Sequence, residues 1–373
     1  VGAVAWKAPP EFVWLQALRE PGLALQWPPE EWQRVVRLAR RLRLLARLAE
    51  ALEGAGLLDQ VPAPARRHLL AEQRVSRWRT GAMLWALERV ARALDGTPYP
   101  RVLLKGAAYA GQALPLAAGR LPSDVDILVP AAHLQDAQQR LQDAGWAAYE
   151  LDSHDQRYYR EWSHEVAPMR HPAHAIELDL HHDILPPIAR THVEIGLLLS
   201  RLAPSRWPGW QVLDPLDQVL HSAAHLFHDS ELRDRVRDLV DLDGMMRHFG
   251  QQPDFWPQLV LRARELGLCE SLALACHWTT RWLGTPVPAE VQAEIVRLGP
   301  TRWQRAWMLP LLRRVLTPTE PNALPAWSQS AAAIVLLARY HRNRLPLRLL
   351  LPHLWHKVRA RPELAAVADP GPR

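Results

Sequence analysis

Ser123-Asp124-Val125-Asp126-Ile127-Leu128-Val129, closed by Pro130, is the stretch on which the fold turns. Its alternation sends Asp124 and Asp126 to one face and Val125, Ile127 and Val129 to the other, the pattern of a strand with one buried face. Two carboxylates side by side repel, and a fold tolerates them most readily when a divalent cation sits between them. Upstream, Arg101-Val102-Leu103-Leu104-Lys105 is a short apolar run ending in Gly106, as expected for a buried strand, and 107–114 reads as a short helix opened by that glycine. Downstream, Ala175-Ile176-Glu177-Leu178-Asp179-Leu180-His181 alternates with the same period, so Glu177, Asp179 and His181 share one face. If the two acidic strands are neighbours, a third carboxylate joins the pair, and Glu177 competes with Asp179 for that place. Such a cluster suits one or two Mg²⁺ (or Mn²⁺) ions holding a triphosphate for in-line displacement.

A phosphate site needs donors as well as a cation. Gly106 ends a strand and opens a helix, which leaves N–H groups at the positive helix end and lets the backbone approach an anion closely. Lys105 and Arg120 are the nearest cationic side chains. Lys105 stands out because lysine occurs only at 7, 105 and 357, arginine supplying the rest of the basic residues.

Around this island the chain reads as helical. Trp32, Val35, Val36, Leu38, Leu42, Leu45 and Leu48 recur at helical spacing, Gly54 and Gly56 close that segment, and a second helix is predicted over 65–94. Residues 131–144 read as a helix capped by Gly145, and 146–182 as short strands with loops. Beyond Pro186-Pro187 the helical period returns. The expectation is an α+β, mostly helical protein: an N-terminal helical region over 1–98, a small mixed β-sheet core over 99–190, and a C-terminal helical region over 191–373.

Composition bounds the answer. With 373 residues, 48% hydrophobic and 23% charged, the chain is neither disordered nor collagen-like. Two cysteines, Cys269 and Cys276, cannot form a disulfide framework or a four-thiolate zinc site. Residues 1–100 carry 15 basic and 10 acidic side chains, 301–373 carry 12 and 3, and the middle carries 18 and 26. An acidic centre between basic flanks differs from a uniformly basic nucleic-acid binder. The start lacks a basic-then-apolar order and no apolar run is long enough to span a bilayer, so the expectation is a cytoplasmic protein with no transmembrane segment.

Leu103-Leu104-Lys105-Gly106-Ala107-Ala108, followed by Arg120-Leu121-Pro122-Ser123-Asp124-Val125-Asp126-Ile127-Leu128-Val129, resembles the DNA polymerase beta-type nucleotidyltransferase fold. More narrowly, it is similar to an uncharacterised bacterial nucleotidyltransferase family with a Leu-Lys-Gly strand end, an Arg-x-x-Ser-Asp-hydrophobic-Asp strand and an Asp-Leu-His-Trp-like strand, matched here by Asp179-Leu180-His181-His182. The resemblance covers roughly 30–250. It implies metal-dependent transfer of a nucleoside monophosphate from a nucleoside triphosphate to an acceptor that is a peptide, a protein or a small molecule. Asp124 and Asp126 would ligate Mg²⁺. Asp179, favoured over Glu177 by the motif, would be the third carboxylate and orient or deprotonate the acceptor hydroxyl. Lys105, Gly106, Ala107, Arg120 and Ser123 would border the nucleotide, with His181 beside them. Ala107 stands where the superfamily usually has Gly or Ser, so a hydroxyl that could touch a phosphate is missing. That substitution favours an alternative, a catalytically weak nucleotide-binding or scaffold protein. Transfer onto RNA is a third reading.

Other features have ordinary explanations beside sharper ones. His221, His225 and His228-Asp229 resemble the His-Asp pair of metal-dependent phosphohydrolases, but a satisfied helix face is expected. Arg34, Arg37, Arg40, Arg41, Arg43 and Arg47 could grip nucleic acid, yet no aromatic platform interleaves with them and a solvated helix face is expected. Arg339 to Arg361 is expected to be an ordinary terminal helix rather than a membrane or partner surface.

Overall fold

A computed structural model describes residues 10–149, 159, 163–173, 176–320 and 323–344. The centre is a mixed seven-stranded sheet in the order β3-β4-β5-β2-β1-β7-β6, with β1 Val102–Leu103, β2 Asp124–Leu128, β3 Ala147–Ala148, β4 Met169–Arg170, β5 Glu177–His181, β6 Ala203–Pro204 and β7 Gln211–Val212. Strand β2 runs antiparallel to β1 and parallel to β5. Between β2 and β5 the chain returns through a helix, as parallel neighbours require; this is α5, Leu134–Asp143, numbered after the four helices that precede it. The expected α+β, mostly helical class is what the chain adopts.

The apolar half of the alternation behaves as the pattern requires. Val125, Ile127, Leu178 and Leu180 are completely buried, as are Val102 and Leu103 beside them. Helices α1 (Pro29–Arg41), α2 (Leu45–Gly54) and α3 (Ala63–Ala93) precede the sheet, and α4 (Lys105–Gly111) links β1 towards β2. After the sheet come α6 (Ile195–Leu199), α7 (Pro215–Phe227), α8 (Val236–Phe249), α9 (Phe255–Glu265), α10 (Cys269–Leu283), α11 (Ala289–Leu298), α12 (Arg302–Leu316) and α13 (Trp327–Arg344). Helix α7 starts where Asp214 accepts from the Leu216 N–H at 2.9 Å, and α12 where Thr301 and Gln304 form a reciprocal capping box.

Two points correct the sequence reading. Residues 203–212, read as helical, instead supply β6 and β7, and β7 pairs in parallel with β1. The Trp207-Pro208-Gly209-Trp210 turn between them folds back sharply, with Gly209 at φ +77°, and two-residue strands are too short to show a period. Of the arginines expected on a solvated helix face, Arg37, Arg40, Arg41 and Arg43 are exposed, whereas Arg34 is half-buried and Arg47 buried. Arg34 pairs with Glu31 and Glu320, Arg40 with Glu72, and Arg41 with Asp234. Arg47 is buried against Asp241 and donates to the Leu116 carbonyl at 2.6 Å.

Ends of the chain distant in sequence share one core. Phe12 stacks on Trp282 with ring centroids 4.0 Å apart, and both are buried. Helix α9 is fixed to α7 by a two-pronged buried pair in which Arg262 donates to Asp217 at 2.7 and 2.8 Å. Cys276 is buried, its thiol pushed up to about 12 by desolvation, and both cysteines are free. No helix of the described residues is long and apolar enough to cross a membrane. Most of the basic stretch 339–361 lies outside the described residues, as do residues 1–9.

Candidate active site

In the β2–β5 ladder Asp124 stands opposite Glu177, Asp126 opposite Asp179 and Leu128 opposite His181. Alternation therefore gathers Asp124, Asp126, Asp179 and His181 on one face of two adjacent strands. That face opens on a cavity of about 210 Å³ whose walls include Asp124, Asp126, Asp179, Lys105, Arg120 and Glu165. From the helical side Tyr109, Ser222, His225, Arg235, Arg237, Asp238 and Asp241 close it. Larger clefts of about 460 and 790 Å³ exist elsewhere, but neither contains a carboxylate of this cluster, so the chemistry points to the smaller one.

Lys105 sits at the first residue of α4 with φ +44°, a left-handed conformation that a lysine adopts only when its surroundings impose it. From there Nζ donates to Asp126 Oδ1 at 2.6 Å. His181 Nε2 reaches the same oxygen at 3.1 Å, on the diagonal across the two strands. Burial alone would raise the Asp126 carboxyl, but Lys105 and the His181 hydrogen bond hold it well below the usual range. Burial would likewise depress Lys105 and His181; Asp126 outweighs it for the first, and Asp126 with Glu165 for the second, so both are raised.

The other two carboxylates are in the opposite condition. Burial, then Asp126, lifts Asp124 above its ordinary value and pushes Asp179 up to about 8. Among the described residues neither side chain has a hydrogen-bond or ion-pair partner. Three oxygen-donor groups, two of them destabilised as anions, fit a hard divalent cation such as Mg²⁺ or Mn²⁺. Asp124, Asp126 and Asp179 would hold it.

Arg120 is positioned from two sides. Its Nε donates to Asp241 Oδ2 at 3.1 Å, while Arg47 approaches the other oxygen of the same carboxylate. Its guanidinium lies over Gly106, where a Cβ would come within 2.0 Å of Nη1. The close approach that this glycine permits is thus made by Arg120. Gly106, Ala107 and Ser123 are not walls of the cavity.

Glu177 is directed elsewhere, accepting from Tyr149 Oη at 2.6 Å and Arg170 Nε at 2.8 Å. His221 is buried and His225 is half-buried at the cavity wall; both are kept neutral by desolvation and then Lys105, His221 falling to about 3. Asp229 pairs with Arg235. Asp229 is thus turned to Arg235, and no His-Asp metal pair forms with His225 or His228 among the described residues. Sequence reading assigned no site role to Glu165, Tyr109, Arg235, Arg237, Asp238 or Asp241, which reach the cavity from loops and helices.

The similarity extends over most of this architecture. Residues 28–284 match the model of a family described as an uncharacterised nucleotidyltransferase, from the start of α1 to just past α10. The chain belongs to that nucleotidyltransferase family. No curated protein and no solved structure matches it. Membership in the nucleotidyltransferase family supports a general role in nucleotidyl transfer and indicates no acceptor.

Proposed function

We propose that this chain is a Mg²⁺-dependent nucleotidyltransferase that moves a nucleoside monophosphate from a nucleoside triphosphate to a hydroxyl of a peptide, protein or small-molecule acceptor. The observation that carries the reading is the in-register placement of Asp126 beside Asp179, with Asp124 on the same face, at the wall of a cavity that also holds Arg120, Arg235 and Arg237. A cavity of about 210 Å³ is smaller than the roughly 300–1,000 Å³ usual for whole ligands. It therefore takes the phosphates, with the nucleoside and acceptor extending outward.

Held by Asp124, Asp126 and Asp179, a divalent cation would neutralise phosphate charge and would favour the ionised form of Asp124 and Asp179. The acceptor oxygen attacks the α-phosphorus, the bond from that phosphorus to the β-phosphate bridging oxygen breaks, and pyrophosphate leaves. Asp179 takes the proton from the acceptor hydroxyl. Lys105 keeps Asp126 ionised and in place, and the arginines face the charge that develops on the departing phosphates.

The test is thermal stability against ATP, GTP, CTP and UTP, with and without Mg²⁺. A nucleotide at 100 times its dissociation constant stabilises by about 2.7 kcal/mol. A Mg²⁺-dependent shift that disappears in the Asp124→Ala/Asp126→Ala variant supports the site and names the base. Absence of a shift with all four overturns it in favour of the weak nucleotide-binding or scaffold reading, which the Arg120 guanidinium over Gly106 also favours. The RNA reading is tested by a salt-sensitive gel shift; Arg34, Arg40, Arg41 and Arg47 meet acidic side chains, which leaves fewer free cations for it.

A further inference from the structure

A second donor set of different chemistry adjoins the carboxylates. One ring nitrogen each from His164 and His181 and one carboxylate oxygen of Glu165 lie within 4.8 Å of one another. The backbone holds them there. Glu165 bridges His181 antiparallel, the Val166 N–H donates to the Leu180 carbonyl at 3.0 Å, and the His182 N–H to the His164 carbonyl at 2.9 Å.

The ring of His181 sets the chemistry. Its Nε2 faces the ionised Asp126, an acceptor, and so carries a ring proton. With that proton alone, Nδ1 presents a lone pair. That atom is buried, with no hydrogen-bond partner, in a residue only 1% exposed. It lies 3.4 Å from Glu165 Oε2. A nitrogen lone pair and a carboxylate oxygen would then face each other, an arrangement that calls for a second ring proton or a metal ion between them. Adjacent ligand atoms around a tetrahedral metal, with bonds of about 2.0–2.2 Å, stand about 3.4 Å apart. His164 Nε2 is 3.8 Å from the same Glu165 oxygen. Metal-bound histidines usually give their other ring N–H to a carboxylate or carbonyl, as His181 gives Nε2–H to Asp126.

We propose that His164, Glu165 and His181 bind a divalent transition metal of the zinc class, separate from the oxygen-only set of Asp124, Asp126 and Asp179. Imidazole nitrogens with one carboxylate suit Zn²⁺ or Co²⁺ rather than Mg²⁺. Three protein ligands leave a fourth position for water or a ligand oxygen, and Glu165 brings that position to the cavity wall. Asp126 then serves both sets, ligating in one and orienting His181 in the other. The assignment is independent of nucleotidyl transfer.

Chelator-treated full-length protein titrated with Co²⁺, without nucleotide, tests it. The expected result is one tightly bound ion per chain with the strong visible absorption of a tetrahedral site, displaced by Zn²⁺. His164→Asn and Glu165→Gln should each weaken uptake about 10- to 100-fold, while Asp124→Asn leaves it unchanged. X-ray absorption of the Zn²⁺-loaded wild type, which needs no variant, should find two imidazole nitrogens around the metal. No uptake, with a second ring proton filling the gap at His181 instead, would overturn the proposal. So would an all-oxygen shell, or uptake lost in Asp124→Asn and kept in His164→Asn. The nucleotide shift with Mg²⁺ is read separately, so either result can fail without the other.

Discussion

Lys105 Nζ donates to Asp126 Oδ1 across 2.6 Å, so the chain brings its own cation to the most buried carboxylate of the cluster. Removing that cation leaves Asp126 charged and buried with only His181 to offset it. Lys105→Met should cost about 2 kcal/mol, below the roughly 3–5 of a fully buried pair because Lys105 keeps partial exposure. Mg²⁺ should restore more stability to this variant than to the wild type. Chemical denaturation with and without Mg²⁺ reads both effects, and equal Mg²⁺ responses would contradict the shared-charge account.

Asp179 and Asp124 titrate in the direction opposite to Asp126. The folded carboxyl of Asp179 is raised to about 8, above its unfolded value near 3.9, so between those limits the native state binds more protons than the unfolded one. Stability of the metal-free protein should therefore fall as pH rises from about 4 to 8. Asp179→Asn should flatten that decline and raise the melting temperature at pH 8. Melting curves across this range, for wild type and variant in chelator, check it; a wild-type stability that climbs to pH 8 and a variant no more stable there would refute it.

Glu177 and Asp179 are two apart on one strand but differ in surroundings. Glu177→Gln touches only the contacts to Tyr149 and Arg170, and its expected effect on the Mg²⁺-dependent nucleotide shift is nil. Asp179→Asn should reduce that shift strongly. Parallel thermal-shift titrations decide between them, and equal losses would mean that the two residues act together.

Gly106 has no room for a side chain on its Arg120 side. Gly106→Ala forces the guanidinium away from a position also fixed by Asp241, which should cost about 1–3 kcal/mol. Asp241→Ala removes the partner of both Arg47 and Arg120 and should cost about 3–5 kcal/mol. Denaturant midpoints measure each; a double variant costing no more than Asp241→Ala alone would show that the two act through the same arginine.

The acidic strand was readable because alternation is local: Asp124, Asp126, Asp179 and His181 share a face whichever strand lies between them. That β2 and β5 are immediate neighbours depends on long-range pairing, which no local period encodes. Glu165 sits in a stretch of histidine, proline and single bridges where no periodicity exists to align it. Arg47 of α2 was misread for a related reason. A basic stripe facing water and one facing acidic partners from 190 residues away look the same until the chain is folded. Strands β6 and β7 fell below the length at which a period can be recognised.

The carboxylate of Asp241 is a rivet through three segments. Arg47 reaches it from α2, Arg120 from the turn before β2, and Asp241 itself belongs to α8. Excising 99–190 as a free-standing piece would strand Arg120 without its counter-ion and strip β7 from the flank of β1. The strands that carry the carboxylates are therefore not a portable cassette, and the helices on either side are joists of the same floor.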